Sequence, residues 1–160
     1  MYREKINQKL AHKNFNQQTL NMIEQFLTEF DDTFGEYLSP DEVIERIDNN
    51  LNYNIELKKR SISSGTYNSK HGKISLKDEK DKDRLSSVMF HEFLHCITTK
   101  RDSNNNVLYT GFARKYTIAE IDEGMVVIGV GVNEGMTEML TQMNDLRHGR
   151  ILEKNSYMTL

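Results

Sequence analysis

His91-Glu92-Phe93-Leu94-His95 is the tightest constraint on how this chain can fold. Residues four apart on a helix lie one turn above each other on the same face. A helix through this stretch therefore aims the imidazoles of His91 and His95 at a common point, as a tetrahedral zinc site requires. Glu92 can lean over the same point as general base for a water held there. The flanking Leu85, Val88, Met89, Phe93, Leu94, Cys96 and Ile97 are mostly apolar, so the helix is expected to be buried on several sides. Buried imidazoles need polar partners, and a metal ion meets that need better than a surface helix with two unconnected histidines does.

A second stretch, Asn133-Glu134-Gly135-Met136-Thr137-Glu138, opens another expected helix. Met136, Met139, Leu140 and Met143 fall three and four apart and form one apolar stripe. Glu134 and Glu138 are also four apart and share a neighbouring face. A catalytic zinc takes three protein donors and leaves a fourth position open, and His91, His95 and Glu134 supply three. Glu138 can accept the free ring N–H of a ligand histidine and so fix its tautomer. Isolated glutamates are normally solvated. Gly135, a poor helix residue, argues for something more specific here: close approach by another helix or by a metal site.

Taken together, the two stretches resemble the gluzincin group of zinc metallopeptidases, the thermolysin-like enzymes. These carry His-Glu-x-x-His on one helix and Asn-Glu-x-x-Ser/Thr-Asp/Glu on the next. The resemblance covers roughly residues 55–145. It implies zinc, one ion per chain, on His91, His95 and Glu134, with Glu92 as general base and with Asn133 and Glu138 in support. It also implies a rim strand before the first motif helix that pairs with substrate backbone, here Lys73–Leu76 or Tyr67 and its neighbours. The interval between His95 and Glu134 is longer than in familiar members and has room for a β-hairpin. The group's transition-state helper, a Tyr or His from a later part of the chain, has no unique match; His148, Tyr157, Tyr109 and Tyr116 all remain open.

The remaining sequence bounds the class. A chain of 160 residues fits one domain. A net charge of −3 gives no sign of nucleic-acid binding by bulk electrostatics. Cys96 is the single cysteine, which excludes an intramolecular disulfide and suits a reducing compartment. Its expected role is core packing. Met1–Leu10 is charged and has no signal-peptide pattern, and no apolar run reaches membrane-spanning length, so a cytoplasmic protein without a membrane partner is expected.

Along the chain, residues 3–30 are expected to be helical, with a break at Asn14-Phe15-Asn16-Gln17 and a turn at Asp31–Gly35. Ser39-Pro40-Asp41-Glu42 is a helix start: N-cap serine, proline at the first position, glutamate three after the cap. Tyr53–Leu57 reads as a strand running towards Ile62. Thr66–Asn68 and Lys73–Leu76 flank a hairpin loop, which makes His71 a loop residue rather than a ligand. The first motif helix is expected to start in the charged run Lys77–Arg84 and to end near Lys100 and Arg101. Val107–Tyr109 and Val126–Val130 are strand-like, with a turn at Asp122-Glu123-Gly124 between them. Gly129 and Gly131 suggest close backbone approach or a sharp bend before a second motif helix from Asn133 to about Arg147, with Gly149 near its end.

The expected architecture is α+β. Residues 1–50 form a helical segment packed on a zincin-like unit of residues 51–160, which has a small, mostly antiparallel sheet and two metal-binding motif helices. The expected function is hydrolysis of peptide bonds in a peptide or protein substrate through a metal-activated water. The alternative is a catalytically weak or inactive metallopeptidase-like domain acting as a binding or regulatory module.

Overall fold

The computed structural model describes residues 2–111, 113–117, 125–128 and 130–151. It is an α+β structure of five α-helices and two small sheets. Helix α1 (Arg3–Leu10) buries Ile6 and Leu10 and runs into a 3₁₀ turn at Ala11–Lys13, which Asn14 ends in the left-handed region at φ 53°. Asn16 then caps α2 (Gln17–Phe34), its side chain accepting from the Thr19 N–H at 2.8 Å. Asp31–Phe34, expected as a turn, is the last turn of α2. Phe30 and Phe34 are four apart and both buried, so the apolar stripe continues and holds the helix to that point. Helix α3 (Pro40–Asn50) starts as expected: Glu42 N–H donates to Ser39 Oγ and Ser39 N–H donates to the Glu42 carboxylate.

Helix α4 (Lys82–Thr98) lies across these helices. Phe26 of α2 stacks on Phe93 at 4.6 Å between ring centroids and tilts against Phe90 at 5.1 Å. Such pairs add about 0.5–1.5 kcal/mol each beyond the area they bury. Residues of 1–50 therefore share one hydrophobic core with the motif helix. Asp81 caps α4, accepting from the N–H groups of Asp83 and Arg84. The helix ends earlier than expected. Thr98 and Thr99 turn their hydroxyls back onto the carbonyls of Leu94 and His95, and Thr99–Arg101 is strand β4.

The expected sheet is two sheets. In the first, β1 (Glu56–Lys58), β3 (Lys73–Lys77) and β2 (Gly65–Asn68) lie in the order β1-β3-β2, with β1 parallel and β2 antiparallel to β3. Strand β1 is only three residues long because its register with β3 ends at Lys77; Ile62, expected near its end, is fully exposed. The second sheet is antiparallel throughout: β4, β5 (Val107–Thr110), β6 (Ala113–Thr117) and β7 (Met125–Ile128). Strand β6 had no counterpart in the sequence reading. The expected turn at Asp122–Gly124, together with Gly129, lies outside the described residues.

Helix α5 (Val130–Arg147) starts three residues before Asn133. Gly149 at φ 69° ends it, with Gly149 N–H on the Leu146 carbonyl and Arg150 N–H on that of Asp145, the Schellman pattern. The expected apolar stripe is not the buried face of α5. Asn133, Thr137, Thr141, Asn144 and Asp145 are buried, whereas Met139 and Met143 are about half exposed. Leu140 of the stripe packs on the core, but the other inward partners of α5 are histidines and ions, so its polar side turns in. Among the described residues, no helix is long and apolar enough to cross a membrane.

Candidate metal centre

Helix α4 turns Phe90, Phe93 and Ile97 into the core and leaves His91 and His95, one turn apart, facing α5 and the second sheet. Their rings meet nearly edge-on, and the two Nε2 atoms are 3.1 Å apart. Glu134, in the first turns of α5, faces both: Oε2 is 3.4 Å from His91 Nε2 and Oε1 is 3.3 Å from His95 Nε2. Donors about 2.0–2.2 Å from a tetrahedral zinc stand ~3.4 Å from each other. The observed triangle therefore has the size of one face of such a tetrahedron. Two imidazole nitrogens at 3.1 Å can share at most one proton, so the donor set is one a cation completes. A zinc-like ion fits these residues.

The opposite ring nitrogens are also held. His91 Nδ1 lies 3.5 Å from Glu138 Oε2 and 3.4 Å from Thr141 Oγ1. Thr141 donates its own hydroxyl proton to the Thr137 carbonyl, so towards His91 it is an acceptor. Both partners favour a proton on Nδ1 and leave Nε2 for a cation. The Asn133 amide lies 3.3 Å from His95 Nδ1; a half-turn of the amide sets which of its atoms faces the ring. Burial pushes His91 towards its neutral form, but the Glu138 hydrogen bond and the charges of Glu92, Glu134 and Glu138 outweigh it and raise its pKa. Burial and the neighbouring His91 keep His95 below the ordinary histidine value.

Glu92 is buried beside this triangle. Burial lifts its carboxyl to about 7; His91 opposes the rise, Glu134 adds to it, and the Tyr67 N–H opposes it. The packing behind Glu92 depends on Gly65 at the start of β2. A Cβ there would stand 2.6 Å from Val88 Cγ1 and 2.8 Å from Glu92 Oε1. Gly65→Ala is expected to displace Glu92 and destabilise the protein by about 1–3 kcal/mol, the cost of overpacking a filled site; thermal unfolding checks this, and an unchanged midpoint would show that Glu92 has slack.

His91, Glu92 and His95 form the floor of a cleft of about 360 Å³. Gly65, Thr66 and Tyr67 of β2 line one wall, and Val107, Tyr109 and Thr110 of β5 line the other. Of the two strands expected at the rim, β2 is the one that borders the cleft. Lys73–Leu76, the other candidate, is the central strand and has neighbours on both sides. Of the four helper candidates, Tyr109 lines the cleft. His148 instead binds the Asn144 carbonyl and lies 3.3 Å from Asp32 on the far end of α5. Tyr157 and the side chain of Tyr116 lie outside the described residues.

No protein-family model, curated protein or solved structure matches the chain.

Gly135 and Gly131 are not where the backbone is crowded. Among the described residues nothing lies within 4 Å of a Cβ built on Gly135 or on Gly131, so neither marks a close approach to the described site. The glycines packed tightly against residues of the site are Gly65 and Gly111. Gly111 is at φ 54°, and a Cβ there would collide with Asn133 Oδ1. Thr141 was also missed, although Asn133, Thr137 and Thr141 recur every fourth residue. That spacing marks one polar face directed at a site.

Proposed function

We propose that this protein is a zinc-dependent peptidase of gluzincin type, with His91, His95 and Glu134 as metal donors and Glu92 as general base. The observation that carries the reading is the convergence of three donors on one point, next to a buried carboxylate in a cleft. Bound there, zinc supplies Lewis acidity towards a carbonyl oxygen and makes water more acidic. Glu92 takes the proton of the attacking water and returns it to the leaving amine, work suited to a group titrating near neutrality. Glu138 and Thr141 hold the His91 ring, and the Asn133 amide faces that of His95. Of the helper candidates we assign Tyr109 to the tetrahedral oxyanion, because it lines the same cleft. An extended peptide is the substrate class because the cleft is bounded by the outer strand β2.

The test is zinc content per chain of protein purified without added metal or a polyhistidine tag, followed by digestion of a peptide library with and without chelator. About one zinc and chelator-sensitive cleavage are expected. Glu134→Ala is expected to lower zinc affinity by more than the roughly 10–100-fold typical of losing a supporting partner. Unchanged affinity would remove Glu134 from the donor set. Zinc without cleavage of any peptide would favour the binding-module reading.

A further inference from the structure

Asn133, which supports His95, is itself supported from another element. It is buried in the first turn of α5. Its amide nitrogen is 3.3 Å from His95 Nδ1, and its amide oxygen lies against Gly111, the residue directly after β5. A Cβ on Gly111 would overlap that oxygen and stand 3.1 Å from Asn133 Cγ. A half-turn of the amide exchanges its two ends and fills the same space, so the overlap does not depend on which atom faces the ring. Gly111 is also at φ 54°. Asparagine and aspartate enter that region as well, so the backbone alone does not call for glycine; the contact with Asn133 does. Neither backbone is free to withdraw. The Gly111 N–H donates to the Thr98 carbonyl at the end of α4 at 3.1 Å, and Thr110 before it pairs with Thr99 and Ala113. The Asn133 carbonyl accepts the Thr137 hydroxyl at 2.8 Å, and Glu134 after it faces both histidines.

Resting on the metal centre proposed above, we infer that Gly111 is a positioning residue: its missing side chain seats the Asn133 amide on the His95 ring and so sets how tightly His91, His95 and Glu134 hold a zinc-like ion. With Nε2 turned to the ion, His95 keeps its ring proton on Nδ1 and needs an acceptor there. The Asn133 amide oxygen supplies it after the half-turn, provided the other end of the amide still fits against Gly111. A methyl group at position 111 takes that space. The Asn133 side chain then has to leave the ring, and His95 loses the bond that orients it. The same glycine reaches both helices that carry donors, α4 through the Thr98 carbonyl and α5 through Asn133. Gly111 therefore ties the second sheet to the site without touching the ion.

Zinc affinity of the full chain, measured by competition with a chelating dye beside thermal unfolding, tests this role. Gly111→Ala is expected to weaken zinc binding ~10–100-fold, the range for losing a supporting partner of a metal ligand, and Asn133→Ala by a similar factor. The double variant is expected to bind no more weakly than Asn133→Ala alone, because the added methyl then meets no amide. The unfolding midpoint is expected to behave differently. Alanine at positive φ is strained with or without the amide, so Gly111→Ala lowers the midpoint in both backgrounds. That contrast separates the seating of Asn133 from a general loosening of the fold. A folded Gly111→Ala variant that binds zinc as tightly as the wild type overturns the role, and so does an equal loss of affinity in the Asn133→Ala background. A wild type that takes up no zinc overturns the metal reading itself and this role with it. Should Gly111→Ala fail to fold, Gly111→Asn answers instead: asparagine adopts positive φ more readily and brings the same Cβ. Unchanged zinc affinity in that folded variant overturns the role.

Discussion

With Glu92 as the proposed general base, Glu92→Gln is expected to leave metal binding intact and to lose about 10²–10⁴-fold in peptide cleavage, the range that one positioned acid–base group contributes. The substitution keeps the shape of the side chain, which matters because the Glu92 side chain packs closely over Gly65. The glutamine oxygen can still accept the Tyr67 N–H, so β2 stays in place. What is lost is the ability to take a proton. Glu92 is not one of the three convergent donors, so metal content should not change. Retained turnover in a metal-loaded variant would sink the general-base role, whereas loss of both metal and turnover would point to a collapsed site. The metal-free proteins give a second readout. Burial lifts the Glu92 carboxyl from 4.5 to about 7, so between those pH values the folded state holds more proton than the unfolded state. Stability falls as pH rises through that window. Glutamine does not titrate and escapes the loss. With chelator present, Glu92→Gln is expected to unfold at higher denaturant than wild type above pH 7, by on the order of 2 kcal/mol, with the gap closing towards pH 4.5. A gap independent of pH would mean that the carboxyl is not the source.

The elements that could be read from the sequence are those in which local signals and tertiary contacts agree. The capping box at Ser39, the glycine end of α5 and the hairpin around Gly72 are local chemistry and appear where expected. Helix α4 was legible because its histidines sit in an apolar run that must be buried. Helix α5 was legible in length and in Glu134, but its orientation was not. Periodicity arguments assume that the interior is apolar. Here the interior next to α5 contains two imidazoles and a buried ion network, so Thr137, Thr141 and Asn144 turn inwards and the methionines outwards. The glycines misled for the same reason. Gly65 and Gly111 are tight because of side chains from other elements, Glu92 and Asn133, and no local pattern contains that information. Strand β6 and the end of α4 depend on sheet pairing, which is likewise non-local.

Arg150→Met is expected to destabilise the protein by about 3–5 kcal/mol, the cost of removing one partner from a buried charge cluster. Arg150 is 8% exposed. Its two Nη atoms hold the Glu29 carboxylate at 3.0 and 2.7 Å, and its Nε holds Asp145 at 2.8 Å. Glu29 also accepts from Asn144 and Gln25, and Asp145 accepts from Ser87. This network ties the end of α5 to α2 and α4, and so holds the helix that carries Glu134 against the helix that carries the histidines. Methionine fills much of the volume but leaves two carboxylates buried without their cation. Against a total stability of about 5–15 kcal/mol, the midpoint of thermal unfolding should fall by roughly 10 °C. Glu29→Gln combined with Arg150→Met should cost less than the sum of the two single changes, because each single change strands the other's partner. The pH dependence has a definite sign. Burial opposes ionisation of Glu29, but the Arg150, Gln25 and Asn144 hydrogen bonds and the Arg150 charge win and hold its carboxyl below the usual range. Its stabilisation is therefore complete above the unfolded value of about 4.3 and is lost as pH falls through the lower folded value. Denaturant titrations should find the gap between wild type and Arg150→Met full at pH 7 and shrinking below about pH 4. A gap that persists undiminished at pH 2 would mean that lost packing around the guanidinium, rather than its charge on Glu29, accounts for the destabilisation.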